Sequence, residues 1–299
     1  MSIKSYIKKL KGKQDIFELT SKEELILEKN LVWIFADRRS GTTWLGMELL
    51  SHNTKFIDEP LIGLHLGRFE NLKKGFFQTL EEQKDRNDYF FCEKYKVVWK
   101  YFLRKLILNR IHAQFNDLEH KIVIKEPTGS VAADVMASCL PESKVIVIFR
   151  DGRDIIDSKL DAFSTGGWGS KRGFVGPAKN KLVWLESRAK EWVAIIRILN
   201  RTYKNHPEKN RRLIKYEDLL KNTFTIVKDL YHFIQIEINE KELHKIIDKF
   251  SFDKIPEEKK GSGKFRRFAK PGLWKQNFSD EEKKLLESIM GEALKELGY

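Results

Sequence analysis

Leu31-Val-Trp-Ile-Phe-Ala36 is an uninterrupted apolar run, and Asp37-Arg38-Arg39-Ser40-Gly41-Thr42-Thr43-Trp44-Leu45 follows it directly. Six apolar residues that end at a turn signal predict a strand buried on both faces. The stretch from Gly46 to Leu50 is typical of a helix. A strand, a glycine-containing turn and a helix N-terminus form the arrangement that binds phosphate groups in α/β proteins.

Other parts of the chain extend this pattern. Further strands are predicted over residues 121–125, 144–149 and 212–215, and helices over residues 181–200 and 281–297. Glycine-rich stretches at 164–179 and 256–272 predict loops. Apolar strands that alternate with helices predict an α/β fold, a P-loop-like parallel sheet with helices on both faces. We expect a basic helical extension over residues 1–30 and a single domain over residues 31–299.

The net charge, the apolar runs and the cysteine content limit the classes of partner, cofactor and cellular location that we expect. The 56 Lys and Arg residues exceed the 43 Asp and Glu residues by 13, which favours anionic partners. No apolar run approaches the roughly 20 residues of a membrane span, and the N-terminus lacks the apolar stretch of a signal peptide. Cys92 and Cys139 are too few for a disulfide framework or a zinc cluster. We therefore expect a cytoplasmic protein without a transmembrane segment that needs no metal.

The turn after the first strand carries the groups that an anionic ligand requires. Gly41 lets the backbone approach an oxyanion, and Trp44 offers a ring on which a base can stack. Hydroxyl groups and positive charge come from Arg38, Arg39, Ser40, Thr42 and Thr43. An ordinary strand-to-helix turn capped by Ser40 or Thr42 is the alternative. A mononucleotide kinase is disfavoured, because the GxxxxGK[ST] spacing and its lysine are absent.

Arg39-Ser-Gly-Thr-Thr-Trp44 resembles the 5′-phosphosulfate loop of the sulfotransferases, which use 3′-phosphoadenosine 5′-phosphosulfate (PAPS). Cytosolic members usually carry lysine where this chain has Arg39. Golgi-type carbohydrate and tyrosylprotein sulfotransferases have arginine there, so the motif is closest to those subgroups. The resemblance implies PAPS as co-substrate, 3′,5′-adenosine bisphosphate (PAP) as its nucleotide product, and no metal.

A second motif consists of two residues that lie eight positions apart in the sequence. Arg150 and Ser158 have the spacing of the family's 3′-phosphate motif, and the match implies that they hold that phosphate. From the residues alone, Arg150 beside Asp151 and Asp154 is equally consistent with a surface ion-pair cluster.

A third motif is the basic loop that ends in Arg266-Arg267-Phe-Ala-Lys270-Pro-Gly272-Leu-Trp274-Lys275, which partly matches the family's Arg-Lys-Gly and Gly-Asp-Trp-Lys sequences. The resemblance carries Arg267 over as a nucleotide contact, with Arg266 as a substitute for the missing lysine. A solvated charge run is the alternative. Lys215-Tyr216-Glu217-Asp218-Leu219 resembles a further family stretch, and we assign it a structural role.

Sulfuryl transfer requires positive charge at the leaving phosphate and a base for the acceptor. We predict Arg39 for the first role and Glu59 for the second, because the Glu59-Pro60 segment resembles the Phe-Glu-Pro segment of Golgi carbohydrate sulfotransferases. The strand that ends at Lys125 lacks the histidine of cytosolic members, which leaves Glu126 as the second candidate and His65 as the third. A surface carboxylate or helix cap is the alternative for either glutamate.

The predicted reaction is in-line transfer of a sulfuryl group from PAPS to a hydroxyl of a carbohydrate or glycolipid. Small alcohols, phenols and peptide tyrosines remain open as acceptors, because the resemblance implies that the acceptor pocket is formed by variable loops, around residues 61–115 and 161–180. The alternatives are a nucleotide-dependent kinase and a non-enzymatic module that binds polyanions such as heparin-like glycans or nucleic acid. The stretch through which cytosolic members dimerise is broken after Lys275, so no oligomeric state is predicted.

Overall fold

The computed structural model describes residues 18–67, 69–71, 76–78, 87–88, 90–177 and 180–299. Most of the predicted basic extension, residues 1–17, lies outside this part of the chain. The described helices are α1 (Ser21–Asn30), α2 (Ile62–Gly67), α3 (Lys96–Phe115), α4 (Ala133–Cys139), α5 (Gly152–Phe163), α6 (Lys181–Asn205), α7 (Tyr216–Lys221), α8 (Thr223–Phe233), α9 (Glu240–Lys249), α10 (Trp274–Asn277) and α11 (Asp280–Glu296).

The described strands form one parallel sheet and one small hairpin-like pair. They are β1 (Leu31–Ala36), β2 (Thr54–Asp58), β3 (Phe69–Asn71), β4 (Phe76–Gln78), β5 (Lys121–Lys125), β6 (Lys144–Phe149) and β7 (Arg211–Lys215). The sheet has the order β2-β5-β1-β6-β7, and every neighbouring pair is parallel. β3 and β4 pair antiparallel. The predicted α/β class with a parallel sheet is therefore confirmed.

Helices cover both faces of the sheet, as predicted. Trp33 and Phe35 of β1 point into a core that also contains apolar residues of α3, α4, α6 and α11. Val32 and Ile34 point into a second core, formed with α7, α8 and α9. Successive residues of a strand face opposite sides, so an all-apolar strand requires cover on both.

β1, β5 and β6 have the predicted bounds, and β7 begins one residue earlier than predicted. β2 was not predicted. It is an edge strand, half-buried along most of its length and polar at Thr54, Lys55 and Asp58, so it shows no continuous apolar run. Its register against β5 nevertheless decides where the residues that follow Asp58 are placed.

The carboxyl ends of β1, β2, β5 and β6 lie at one edge of the sheet, because the strands are parallel. Ligands of open α/β sheets bind at this edge. A π-helix over Trp44–Leu49 begins there, directly after the turn that follows β1. No helix among the described residues is long and apolar enough to cross a membrane.

Candidate active site

The turn after β1 has a backbone that depends on glycine. Arg39 and Gly41 have positive φ angles of 83° and 78°. A Cβ atom on Gly41 would also lie 2.6 Å from the ring of Tyr216, so both conformation and space require glycine. Ser40 is buried, and its hydroxyl has no hydrogen-bond partner among the described residues. Ser40 therefore does not cap the helix that follows, and Thr43, which precedes the π-helix, makes no side-chain cap either.

Arg39 lies at the centre of the site. Its Nε donates to Ser158 Oγ at 3.2 Å, and its Nη2 donates to the carbonyl oxygen of Phe265 at 2.6 Å. The rings of Trp168 and Phe265 lie 5.2 and 5.0 Å from the guanidinium carbon. Burial, together with the nearby charge of Arg150, lowers the pKa of Arg39 to about 10. The side chain is therefore cationic at neutral pH.

Arg150 and Ser158 join the same cluster. Arg150 Nη1 donates to the backbone oxygen of Arg39, and its guanidinium lies 4.4 Å from the centroid of the Tyr216 ring. Its buried Nε has no partner among the described residues. Arg150 forms no salt bridge with Asp151 or Asp154 among the described residues, since Asp151 pairs with Arg153 and Asp154 accepts the backbone N–H of Gly272.

The basic loop lies against the same cleft. Arg266 pairs with Glu48 of the π-helix, and Arg267 pairs with Asp157 of α5. Both arginines line the cleft while they are bound to carboxylates. The alternative of a solvated charge run does not fit this arrangement, because the Arg267 side chain is only 13% exposed.

Glu59 is the candidate base that reaches the cleft. Its Oε2 accepts from the Thr128 hydroxyl at 2.6 Å, and its Oε1 accepts from Lys125 Nζ at 3.0 Å. Burial alone would raise the pKa of Glu59, but these bonds and the charge of Lys125 hold it below its usual value. Glu59 also has a positive φ of 45°, a strained conformation of the kind found at functional sites.

Glu126 and His65 have other positions. Glu126 is fully buried, and its two oxygens accept the backbone N–H groups of Leu61 and Gly63 at 3.1 and 3.3 Å. It thus binds the start of α2 and does not line the cleft. Burial raises its pKa to about 7. His65 is an exposed residue of α2, also away from the cleft lining.

Two buried features were not predicted from the sequence. Lys125 Nζ contacts Thr43 Oγ1 at 3.2 Å and Asp58 Oδ1 at 2.7 Å in addition to Glu59, and so joins the turn to the candidate base. Lys159 Nζ contacts both carboxylate oxygens of Asp37 at 3.0 and 2.8 Å, with each side chain 2% exposed. In the sequence, both features are marked by a charged residue at the carboxyl end of a buried strand: Lys125 at the end of β5 and Asp37 directly after β1.

The turn after β1, the helix α5 and the basic loop line a cleft of about 580 Å³. Its polar lining includes Arg38, Arg39, Gly41, Thr42, Thr43, Arg150 and Ser158, and its aromatic lining includes Trp44, Trp168, Phe250, Phe252, Phe265 and Phe268. Trp44 Nε1 donates to the carbonyl oxygen of Phe250 at 3.0 Å, which fixes the indole in one wall. No cluster of described His, Cys, Asp or Glu side chains is arranged to hold a metal ion.

Comparison with solved structures supports the fold. Mouse sulfotransferase SULT7A1 in complex with PAP is 15% identical, with a TM-score of 0.53 over 92% of this chain and 89% of that one. Retinol dehydratase in complex with retinol and PAP is 16% identical, with a TM-score of 0.54 over 89% and 82%. Sulfotransferase STF9 from Mycobacterium avium is 12% identical, with a TM-score of 0.51 over 98% and 80%.

The family assignment rests on the sequence as a whole. No curated protein matches the chain closely enough to count as a relative. The profile of the sulfotransferase domain, however, matches residues 29–298, which is nearly all of the chain. The chain therefore belongs to the family of PAPS-dependent sulfotransferases, as its motifs predicted.

Proposed function

We propose that this enzyme transfers the sulfuryl group of PAPS in line to a hydroxyl of a carbohydrate or glycolipid, and that the Arg39 cluster binds the nucleotide. The observation that carries the proposal is the direct contact of Arg39 with both Ser158 and Arg150, residues more than 100 positions away in the sequence. The contact brings together, in the lining of one cleft, the two stretches that resemble phosphate motifs.

The unpaired donors of the cluster suggest how the nucleotide is held. The Ser40 hydroxyl and Arg150 Nε are buried without partners in the described residues, and a buried donor without a partner is costly. Phosphate oxygens would satisfy both. We assign the turn at Ser40–Thr43 to the 5′-phosphosulfate and Arg150 with Ser158 to the 3′-phosphate. Trp44 is the proposed platform for adenine, although its ring also packs against the second core.

The remaining charged residues suit the chemistry. Arg39 would stabilise the negative charge that develops on the leaving phosphate. Glu59 would accept the proton of the acceptor hydroxyl, and its lowered pKa keeps it ionised at neutral pH. Lys125 would hold Glu59 beside Thr43 and hence beside the phosphosulfate. Glu126 is proposed as a structural residue.

The acceptor class rests on the aromatic walls and on the resemblance to carbohydrate enzymes. Trp168 and Phe265 meet edge to face at 5.0 Å, and both line the cleft together with Glu59. Aromatic rings suit the apolar face of a sugar as well as a phenol. The cytoplasmic location stays a prediction from the cysteine content.

Nucleotide selectivity tests the assignment of the 3′-phosphate. A ligand at 100 times its dissociation constant stabilises a protein by about 2.7 kcal/mol, so PAP should raise the melting temperature far more than AMP does. Arg150→Ala should abolish most of that difference. Arg153→Ala is the matched control, since it removes an arginine that pairs with Asp151 and does not line the cleft. Equal shifts by PAP and AMP in the wild type would refute the assignment.

A further inference from the structure

Arg38 lies in the turn after β1, and its side chain lines the cleft without a polar partner. It is half-buried and forms no salt bridge or hydrogen bond with any other residue that the structure describes. The other arginines of the cleft lining differ in this respect. Arg39 and Arg150 donate to oxygen atoms of the protein, and Arg266 and Arg267 pair with carboxylates. A half-buried cation has lost part of its hydration, so an anion that enters the cleft would be a favourable partner for Arg38.

An aromatic ring supports the guanidinium of Arg38 without using its N–H groups. The guanidinium carbon lies 5.3 Å from the centroid of the Phe174 ring. Phe174 in turn stacks on Phe163, with 4.9 Å between the ring centroids and 12° between the ring planes. A guanidinium that lies over a ring keeps the planar fork of N–H groups that binds both oxygens of a carboxylate. Arg38 is therefore prepared to bind such a group.

The charge of Arg38 reaches the candidate base. Burial would raise the pKa of Glu59, but its hydrogen bonds and the nearby charges, that of Arg38 included, hold it below its usual value. Both side chains line the cleft. Arg39, the next residue along the chain, instead donates to Ser158, a proposed contact of the 3′-phosphate. The two adjacent arginines thus act on different parts of the cleft, and the proposed nucleotide contacts leave Arg38 without an assigned ligand.

We propose that Arg38 binds the carboxylate of an acidic sugar, so that the acceptor is an anionic carbohydrate. The inference rests on the proposed function, because it names the class of carbohydrate within it. A carboxylate near Glu59 and the phosphosulfate would be repelled by both, so its binding requires a cation that neither of them has neutralised. Arg38 is such a cation, since it forms no salt bridge with Glu59 or with any other described carboxylate.

Titration calorimetry of the full chain saturated with PAP tests this subsite with two matched probes. In para-nitrophenyl β-D-glucuronide a carboxylate replaces the neutral hydroxymethyl group of para-nitrophenyl β-D-glucoside. We expect the wild type to bind the glucuronide about tenfold more tightly than the glucoside. Arg38→Gln should abolish this preference and leave the affinity for the glucoside unchanged, because glutamine is neutral. Arg38→Lys keeps the charge but not the planar fork, so it should retain part of the preference.

Arg172→Gln is the matched control. Arg172 belongs to the same glycine-rich stretch as Phe174, and its guanidinium also lies over a ring, 5.5 Å from the centroid of Trp168. Arg172 is exposed and does not line the cleft, so its variant should keep the full preference for the glucuronide. The shift in melting temperature by PAP should be the same in the wild type and in the variants of Arg38 and Arg172.

Three results would overturn the proposal. The first is equal affinity of the wild type for the two glycosides, and the second is no binding of the glucuronide. The third is a smaller PAP shift in Arg38→Gln, which would assign Arg38 to the nucleotide.

The proposed function is tested separately, by incubation with PAPS and mass spectrometry of the products. Preferential binding of the glucuronide without its sulfation would refute transfer to a carbohydrate, whereas the carboxylate subsite at Arg38 would stand. Sulfation of both glycosides with equal affinity would do the reverse.

Discussion

Glu59 and Glu126 both follow strands at the active-site edge, but the fold gives them opposite surroundings. Glu59 is one-third exposed, and Thr128 and Lys125 hydrogen-bond its carboxylate. Glu59→Gln keeps the volume of the side chain but cannot accept a proton at neutral pH. We expect the rate of sulfuryl transfer to fall by about 10²- to 10⁴-fold while PAP affinity stays near that of the wild type. Single-turnover transfer and PAP titration separate the two effects, and a silent Glu59→Gln would remove Glu59 as the base.

Glu126 gives a prediction about stability instead. Its folded-state pKa of about 7 lies above its usual 4.5, so the folded protein binds the proton more tightly than the unfolded chain does. The free energy of unfolding should therefore decrease as pH rises from about 5 to 8, by an amount on the order of 2 kcal/mol from this group. Glu126→Gln should remove that pH dependence in denaturant titrations and leave transfer activity nearly intact. Loss of transfer in this variant would instead place the base on the Lys125 strand.

At the scale of elements, the Asp37–Lys159 pair joins the turn after β1 to α5. Asp37 precedes the 5′ turn and Lys159 follows Ser158, so the pair fixes the distance between the two proposed phosphate contacts. Removal of one partner of a buried ion pair costs about 3–5 kcal/mol of stability, whereas replacement of both by apolar residues costs much less. The double variant Asp37→Leu/Lys159→Met should therefore fold better than either single variant.

The same double variant should bind PAP more weakly without a matching loss for single phosphates. If the Asp37–Lys159 pair sets the distance between the two phosphate sites, 5′-AMP and 3′-AMP should each still bind at one site with unchanged affinity. PAP should bind more weakly, because its two phosphates no longer fit both sites at the same time. Calorimetric titration with the three nucleotides measures this. A uniform loss for all three would assign the pair a role in folding alone.

At the scale of the molecule, one carboxylate is bonded to a loop that contributes residues to the cleft lining and lies next to a second such loop. Asp161 of α5 accepts the backbone N–H of Gly263 at 2.8 Å and the hydroxyl of Ser262, while Trp168 N donates to the Gly263 oxygen at 3.0 Å. Asp161→Ala should release the basic loop at residues 256–272. We expect trypsin to cut there faster than in the wild type, and PAP to protect the loop less. Asp248→Ala, an exposed carboxylate of α9, is the control, and equal cleavage rates in the two variants would contradict the role of Asp161.

The sequence by itself determined the central strands, the sheet class and the family. β1, β5 and β6 are buried on both faces, and that requirement shows as continuous apolar runs that can be read locally. Gly41 also stands out in the sequence, as the glycine of a turn between a strand and a helix, whereas its close contact with Tyr216 is known only from the tertiary structure. The edge strand β2 was missed, since a half-buried strand with polar residues carries no such run.

The tertiary structure alone decided which charged residues meet. Glu59 and Glu126 each follow the end of a strand and precede a proline, so the sequence does not distinguish them. The register of β2 against β5 places Glu59 in the cleft, whereas Glu126 accepts backbone N–H groups at the start of α2. Asp37 and Lys159, or Arg39 and Ser158, are separated by about 120 residues, and no periodicity in the sequence records such a contact. The physical reason is that burial and pairing of charge depend on distances in space, which the chain sets only once its strands have aligned.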